Sequence, residues 1–268
     1  MFDCFLGIGY SGAQTPLTRL KGLQVYAARP GARGAQRWES AREADRCAPA
    51  HWNRREVAER LRTEVLSGTR FLAGVDHGFS LPVAHFGRHQ LNAWPAFLDH
   101  FVAHWPTHLD RVGVDAVRRG LIQQPRSAWV SLQQKTTHDA LRLTERWTAS
   151  ARSVFLFDVQ GVSAKAAHAG IPWLKWLRDE VGDRLHFWPF DGWQVPGDKS
   201  VIVEVHPSIF RRRYARERRE PDEHDAYATV RWMADMAARG ALEACFQPPL
   251  TPMERDVAQL EGWMLGVR

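Results

Sequence analysis

Cysteine is scarce: Cys4, Cys47 and Cys245 are the only three, far apart and without a CxxC pair. Their spacing excludes a disulfide framework and a thiolate zinc site, and it fits a reducing compartment. Long apolar runs are also missing. Charged residues interrupt every hydrophobic stretch well short of the ~20 residues that a bilayer span needs, so no membrane association is expected. No basic leader precedes the first apolar stretch, which therefore does not read as a signal peptide, and a cytoplasmic location is expected. Internal repeats and low-complexity tracts are absent too.

What is present is the composition of an ordinary globular protein: 268 residues, 44% hydrophobic and 25% charged. A chain of this length buries roughly 75% of its unfolded surface, enough for one sizeable core. The expectation is a single domain over residues 1–268. The formal net charge is +6, and a basic balance favours contact with phosphates. Arg211, Arg212, Arg213, Arg216, Arg218 and Arg219 crowd into nine residues. They are either a solvated polar face or a phosphate-facing edge.

Periodicity and turn residues outline an α/β order. Cys4–Tyr10 and Leu23–Ala28 read as an N-terminal hairpin of strands, followed by a loop over residues 29–50. Asn53 and Glu56 have capping-box spacing, and Val57, Leu61 and Val65 form the apolar stripe of the helix they open. Phe71–Asp76 reads as a strand with a carboxylate at its tip. Residues 84–150, rich in His, Trp and Arg, read as a helical insertion over one end of the sheet. Val154–Val159 and His186–Phe190 read as strands separated by a helix over Ala164–Val181. Val201–Val205 is a further strand, stopped by Pro207. Helices follow over Asp222–Arg239 and after Thr251, where Pro252 and Glu254 supply a start signal.

Three carboxylates fall at strand ends or a helix start: Asp76, Glu204 and Asp225. If they converge, their repulsion calls for a divalent cation, and a pair of Mg²⁺ or Mn²⁺ ions would activate water for phosphodiester cleavage. Singly, each is more simply a cap or a surface charge. His206 lies two residues beyond Glu204, on the same face of the strand, and His224 adjoins Asp225. Either is a candidate ligand or proton carrier, although structural roles are commoner for the 12 histidines. Asp158 and Asp191 follow apolar runs and are reserve candidates. Of the 12 tryptophans, several, such as Trp94, Trp105, Trp129 and Trp147, lie in the insertion; most are expected to pack, and one or two exposed ones could stack on bases.

The string Gly7-Ile8-Gly9-Tyr10-Ser11-Gly12-Ala13 resembles the opening strand of the domain of unknown function 429 family, a predicted nuclease branch of the ribonuclease H-like superfamily. Ala73-Gly74-Val75-Asp76 with Leu81-Pro82 is similar to its second acidic strand. Ala169-Gly170-Ile171-Pro172-Trp173-Leu174 and Trp188-Pro189-Phe190 resemble its central helix and following strand. Glu204-Val205-His206-Pro207, His224-Asp225-Ala226 and Glu261-Gly262-Trp263-Met264-Leu265-Gly266 resemble its later motifs. The resemblance runs end to end and is weakest over residues 29–50 and 84–150. It implies an α/β, ribonuclease H-like fold with a mixed five-stranded sheet flanked by helices. It also implies acids on the first strand, a central strand and the last helix.

The chain departs from that pattern at Gly9, where the family carries an aspartate. Asp3 is no substitute, since six residues of strand separate the two positions by about 20 Å. Two readings follow. One is a Mg²⁺- or Mn²⁺-dependent nuclease with Asp76, Glu204 and Asp225 as ligands, His206 or His224 moving protons, and Ser11, Arg211, Arg212 and Arg213 holding substrate. The other is a catalytically silent relative that binds nucleic acid or a nucleotide. A sugar-kinase or actin-like ATPase shares the core sheet but needs a second domain and two phosphate loops, for which the chain has neither room nor motif. The sequence leaves the oligomeric state open.

Overall fold

The computed structural model describes residues 2–39, 51–121, 140–157 and 164–268. Its centre is a mixed six-stranded sheet in the order β3-β2-β1-β4-β6-β5. β1 (Cys4–Gly9) and β2 (Gln24–Ala28) form the expected antiparallel hairpin, and β3 (Gln36–Arg37) adds a short edge to it. β1 then pairs in parallel with β4 (Phe71–Asp76), β4 with β6 (Ser200–Glu204), and β6 with β5 (Leu185–Phe187). The sheet thus has six strands where the resemblance implied five, and the expected loop after the hairpin contains the two-residue β3.

Both faces of the sheet are covered, so its inner strands are apolar without a break, as buried parallel strands are. Leu6, Ile8, Phe71, Ala73, Val75 and Ile202 face one core, shared with α1 (Arg54–Leu66), α3 (Trp94–His104) and α6 (Ala164–Val181). Phe5, Leu72, Val201, Val203 and Val205 face the other, shared with α7 (Pro221–Ala238) and the C-terminal residues Trp263, Met264 and Leu265. The alternation of these residues assigns every strand position to a face.

Local signals set the helix starts. Asn53 caps α1 by accepting from Glu56 N at 2.9 Å. Pro221 opens α7, the short α8 (Leu242–Cys245) follows, and Thr251 caps α9 (Pro252–Glu261). Within the expected insertion lie α2 (Val83–Arg88), α3, α4 (Val114–Arg118) and α5 (Leu143–Arg146). α3 and α4 pack on α6, and α2 and α5 on α9. Trp94 and Trp105 are core residues, Trp147 is partly exposed beside Trp263, and Trp129 lies outside the described residues.

One expected strand is corrected. Val154 and Phe155 lie in a turn and residues 156–157 in no regular element, with Val154 fully buried but in no ladder; the run is apolar because it is packed. Asp158 lies outside the described residues. The strand expected over His186–Phe190 begins at Leu185 and ends at Phe187. There the Asp191 carboxylate accepts from Phe187 N at 2.8 Å and closes a turn. Among the described residues no helix is long and apolar enough to cross a membrane.

Candidate functional site

The three parallel strands β1, β4 and β6 end at one edge of the sheet, bringing Gly9, Asp76 and Glu204 to neighbouring positions: Gly9 pairs with Asp76, and Val75 with Glu204. The register also separates them. Asp76 has the parity of Leu72 and Gly74 and projects towards α7, whereas Glu204 has the parity of Ile202 and projects to the opposite face. The two acids therefore flank the sheet edge from opposite sides.

On the α7 side the helix comes unusually close. A Cβ on Gly7 would lie 2.2 Å from the Ala226 carbonyl oxygen, so only glycine lets α7 settle on β1. This approach carries Asp222 and Asp225, in the first turns of α7, to the tip of β4. Carboxylates are favoured there in any case by the positive end of the helix. Asp225 is engaged: Arg211 Nη1 donates to both of its oxygens, at 3.0 and 2.9 Å. Asp222 is exposed, and loss of surrounding water and the Asp225 charge both raise its carboxyl.

The Asp76 carboxyl makes no hydrogen bond or ion pair among the described residues. Burial first, then the charges of Asp225, Glu204 and Asp222, push its carboxyl up to about 8, with Arg211 opposing. At neutral pH it is largely a protonated acid. Gly9 faces the same space: its Cβ would stand 3.2 Å from the Asp222 carbonyl oxygen and 3.6 Å from Ala226 Cβ.

On the other face Glu204 is buried and fully occupied. Arg142, just before α5, donates Nη2 to Oε1 at 2.6 Å and Nη1 to Oε2 at 2.7 Å, while Phe79 N donates to Oε2 at 3.0 Å. Arg142 also donates Nε to Glu145 Oε1 at 2.9 Å and Nη1 to the Glu261 carbonyl at 3.1 Å. Burial alone would lower this guanidinium, but Glu204 and Glu145 outweigh it and hold it well above its ordinary value. The carboxylate of Glu261 accepts from the backbone amides of Val83 and Leu143. One arginine thus links β6, the loop after β4, α5 and α9.

The other anticipated residues fall as follows. His206 Nε2 meets the hydroxyls of Ser150, at 3.0 Å, and Ser208, and burial lowers its pKa. His224 is buried, with Nε2 donating to the Arg211 carbonyl at 3.2 Å, so it supports the arginine turn. Ser11 Oγ accepts from Ala13 N at 3.4 Å, and its carbonyl accepts from the buried Arg54, which pins the loop after β1. Asp191 belongs to the turn after β5 and binds Arg178. Of the arginine run, Arg211 faces Asp225 and Arg219 lies 3.6 Å over the Tyr227 ring. Arg212, Arg213 and Arg218 are exposed and make no contact of this kind among the described residues.

As a divalent-cation cage the acids do not fit. Guanidinium nitrogens occupy both oxygens of Glu204 and both of Asp225, Gly9 supplies no donor, and Glu204 and Asp76 project from opposite faces. Among the described residues these carboxylates form no group of three with donor atoms within 4.8 Å of one another. Sequence reading missed Arg142, Asp222 and a set that does meet that distance, His85, His89 and His100. The i, i+4 spacing of His85 and His89 was the available signal for the last. Nothing local marked Arg142, whose partner lies 62 residues away. No family model matches the chain, and neither curated proteins nor solved structures give a match.

Proposed function

We propose that this chain is a catalytically silent α/β protein of the ribonuclease H-like kind, related to the domain of unknown function 429 family. In this reading it is cytoplasmic and binds nucleic acid or a nucleotide through the phosphates. One observation carries the proposal: arginines close the two acids, Glu204 and Asp225, that a metal-dependent nuclease would leave open for cations. Arg212, Arg213 and Arg218 stand exposed on the segment that leads into α7 and offer contacts to phosphates.

Binding of labelled single- and double-stranded oligonucleotides, followed by anisotropy across salt concentrations, tests the reading. Affinity should fall steeply with salt, and Arg212→Gln and Arg213→Gln should each flatten the slope by about one phosphate contact. The same samples should show no cleavage with Mg²⁺ or Mn²⁺. Salt-independent binding, or none, would overturn the proposal.

One observation favours a second reading, the Mg²⁺- or Mn²⁺-dependent nuclease. The Asp76 carboxyl has no hydrogen-bond partner among the described residues and lies near the charges of Asp222 and Asp225, and a cation that displaced its proton would relieve their repulsion. Divalent-dependent cleavage that disappears in Asp76→Asn would establish this reading over the first.

A further inference from the structure

We propose that His85, His89 and His100 form a binding site for one divalent transition-metal ion of the zinc class. The site lies apart from the acids of the sheet edge. His89 caps the C-terminus of α2, and its amide donates to the His85 carbonyl at 3.1 Å, so the two imidazoles project from the same side one turn apart. α3 brings His100 against both: its ring centroid lies 4.5 Å from that of His89 and 5.5 Å from that of His85. One ring nitrogen from each lies within 4.8 Å of the other two.

Bond lengths of 2.0–2.1 Å around a tetrahedral ion require ligand nitrogens roughly 3.3 Å apart. The cluster therefore has to close by no more than about 1.5 Å. The residues best able to turn are His89 and His100, both only half-buried, while His85 is fixed in the interior. A separate observation points to a ligand: His100 Nε2 is buried and has no hydrogen-bond partner among the described residues.

Ligand chemistry selects the metal. Imidazole nitrogens suit Zn²⁺, Co²⁺, Ni²⁺ and Cu²⁺, whereas Mg²⁺ and Mn²⁺ prefer carboxylate oxygen. Three histidines leave a fourth position open to water.

Calorimetric titration of the full, tag-free, chelator-treated chain with Zn²⁺ is the test, with Co²⁺ absorption as a second measure of coordination. One equivalent should bind, millimolar Mg²⁺ should not compete, and Co²⁺ should give the visible bands of nitrogen coordination. His89→Gln and His100→Gln should each weaken binding at least tenfold, and the double variant should abolish it. Asp76→Asn should leave it unchanged. Absence of stoichiometric binding by the wild type, or binding that survives in a folded double variant, would overturn the site.

Discussion

Glu204 and Asp76 are carboxylates at the ends of adjacent parallel strands, one position out of step, yet they end in opposite electrostatic states. On the Glu204 side a buried guanidinium spans both oxygens and a backbone amide completes the shell, so the acid and its arginine together tie four segments. On the Asp76 side the nearest charges are mostly other carboxylates, and the acid is pushed up to about 8. Strand parity alone separates the two. The acid that meets an arginine becomes structural, whereas the one that meets a helix N-terminus crowded with acids holds its proton into the neutral range.

The contrast is broken most strongly at Arg142. Arg142→Met leaves Glu204 and Glu145 buried without their cation, a loss of about 3–5 kcal/mol. Denaturant unfolding should show it, and Glu204→Gln added to Arg142→Met should recover part of the loss. The α7 side is next. Gly7→Ala drives a Cβ against the Ala226 carbonyl and should cost about 1–3 kcal/mol, while Gly9→Ala, with its nearest contact at 3.2 Å, should cost less in the same unfolding experiment.

Asp76→Asn sharpens the comparison through pH. A carboxyl raised from 3.8 to about 8 in the fold stabilises while protonated; that contribution is complete below pH ~4 and is lost as pH rises through 8. The asparagine variant should therefore melt above the wild type at pH 8. The gap should close towards pH 4, at about 2–4 °C for each kcal/mol. An equal gap at both pH values would mean that Asp76 is not raised. The smallest effect belongs to Arg211→Gln. Its ion pair is partly exposed on the arginine side, so thermal melts should shift by no more than about 1 kcal/mol in stability.

Legibility in the sequence followed the range of the interaction. The N-terminal hairpin, the strand ending at Asp76, helix α6 and the caps at Asn53 and Thr251 were all readable, because alternation, capping spacing and turn residues act over a few residues. The run from Val154 misled because burial produces apolar sequence with or without a ladder.

At the site, alternation and turn residues already mark Asp76 and Glu204 as strand ends and Asp225 as lying near a helix start, and position 9 plainly has no carboxylate. Which face each acid takes emerged only from the packed fold. It also decided that Arg142 meets Glu204, that Arg211 meets Asp225, and that the imidazoles of α2 and α3 gather. The physical reason is that the electrostatic state of a carboxylate depends on the charges and water within a few ångströms of it. At Glu204 the decisive charge comes from a residue 62 positions away in the chain.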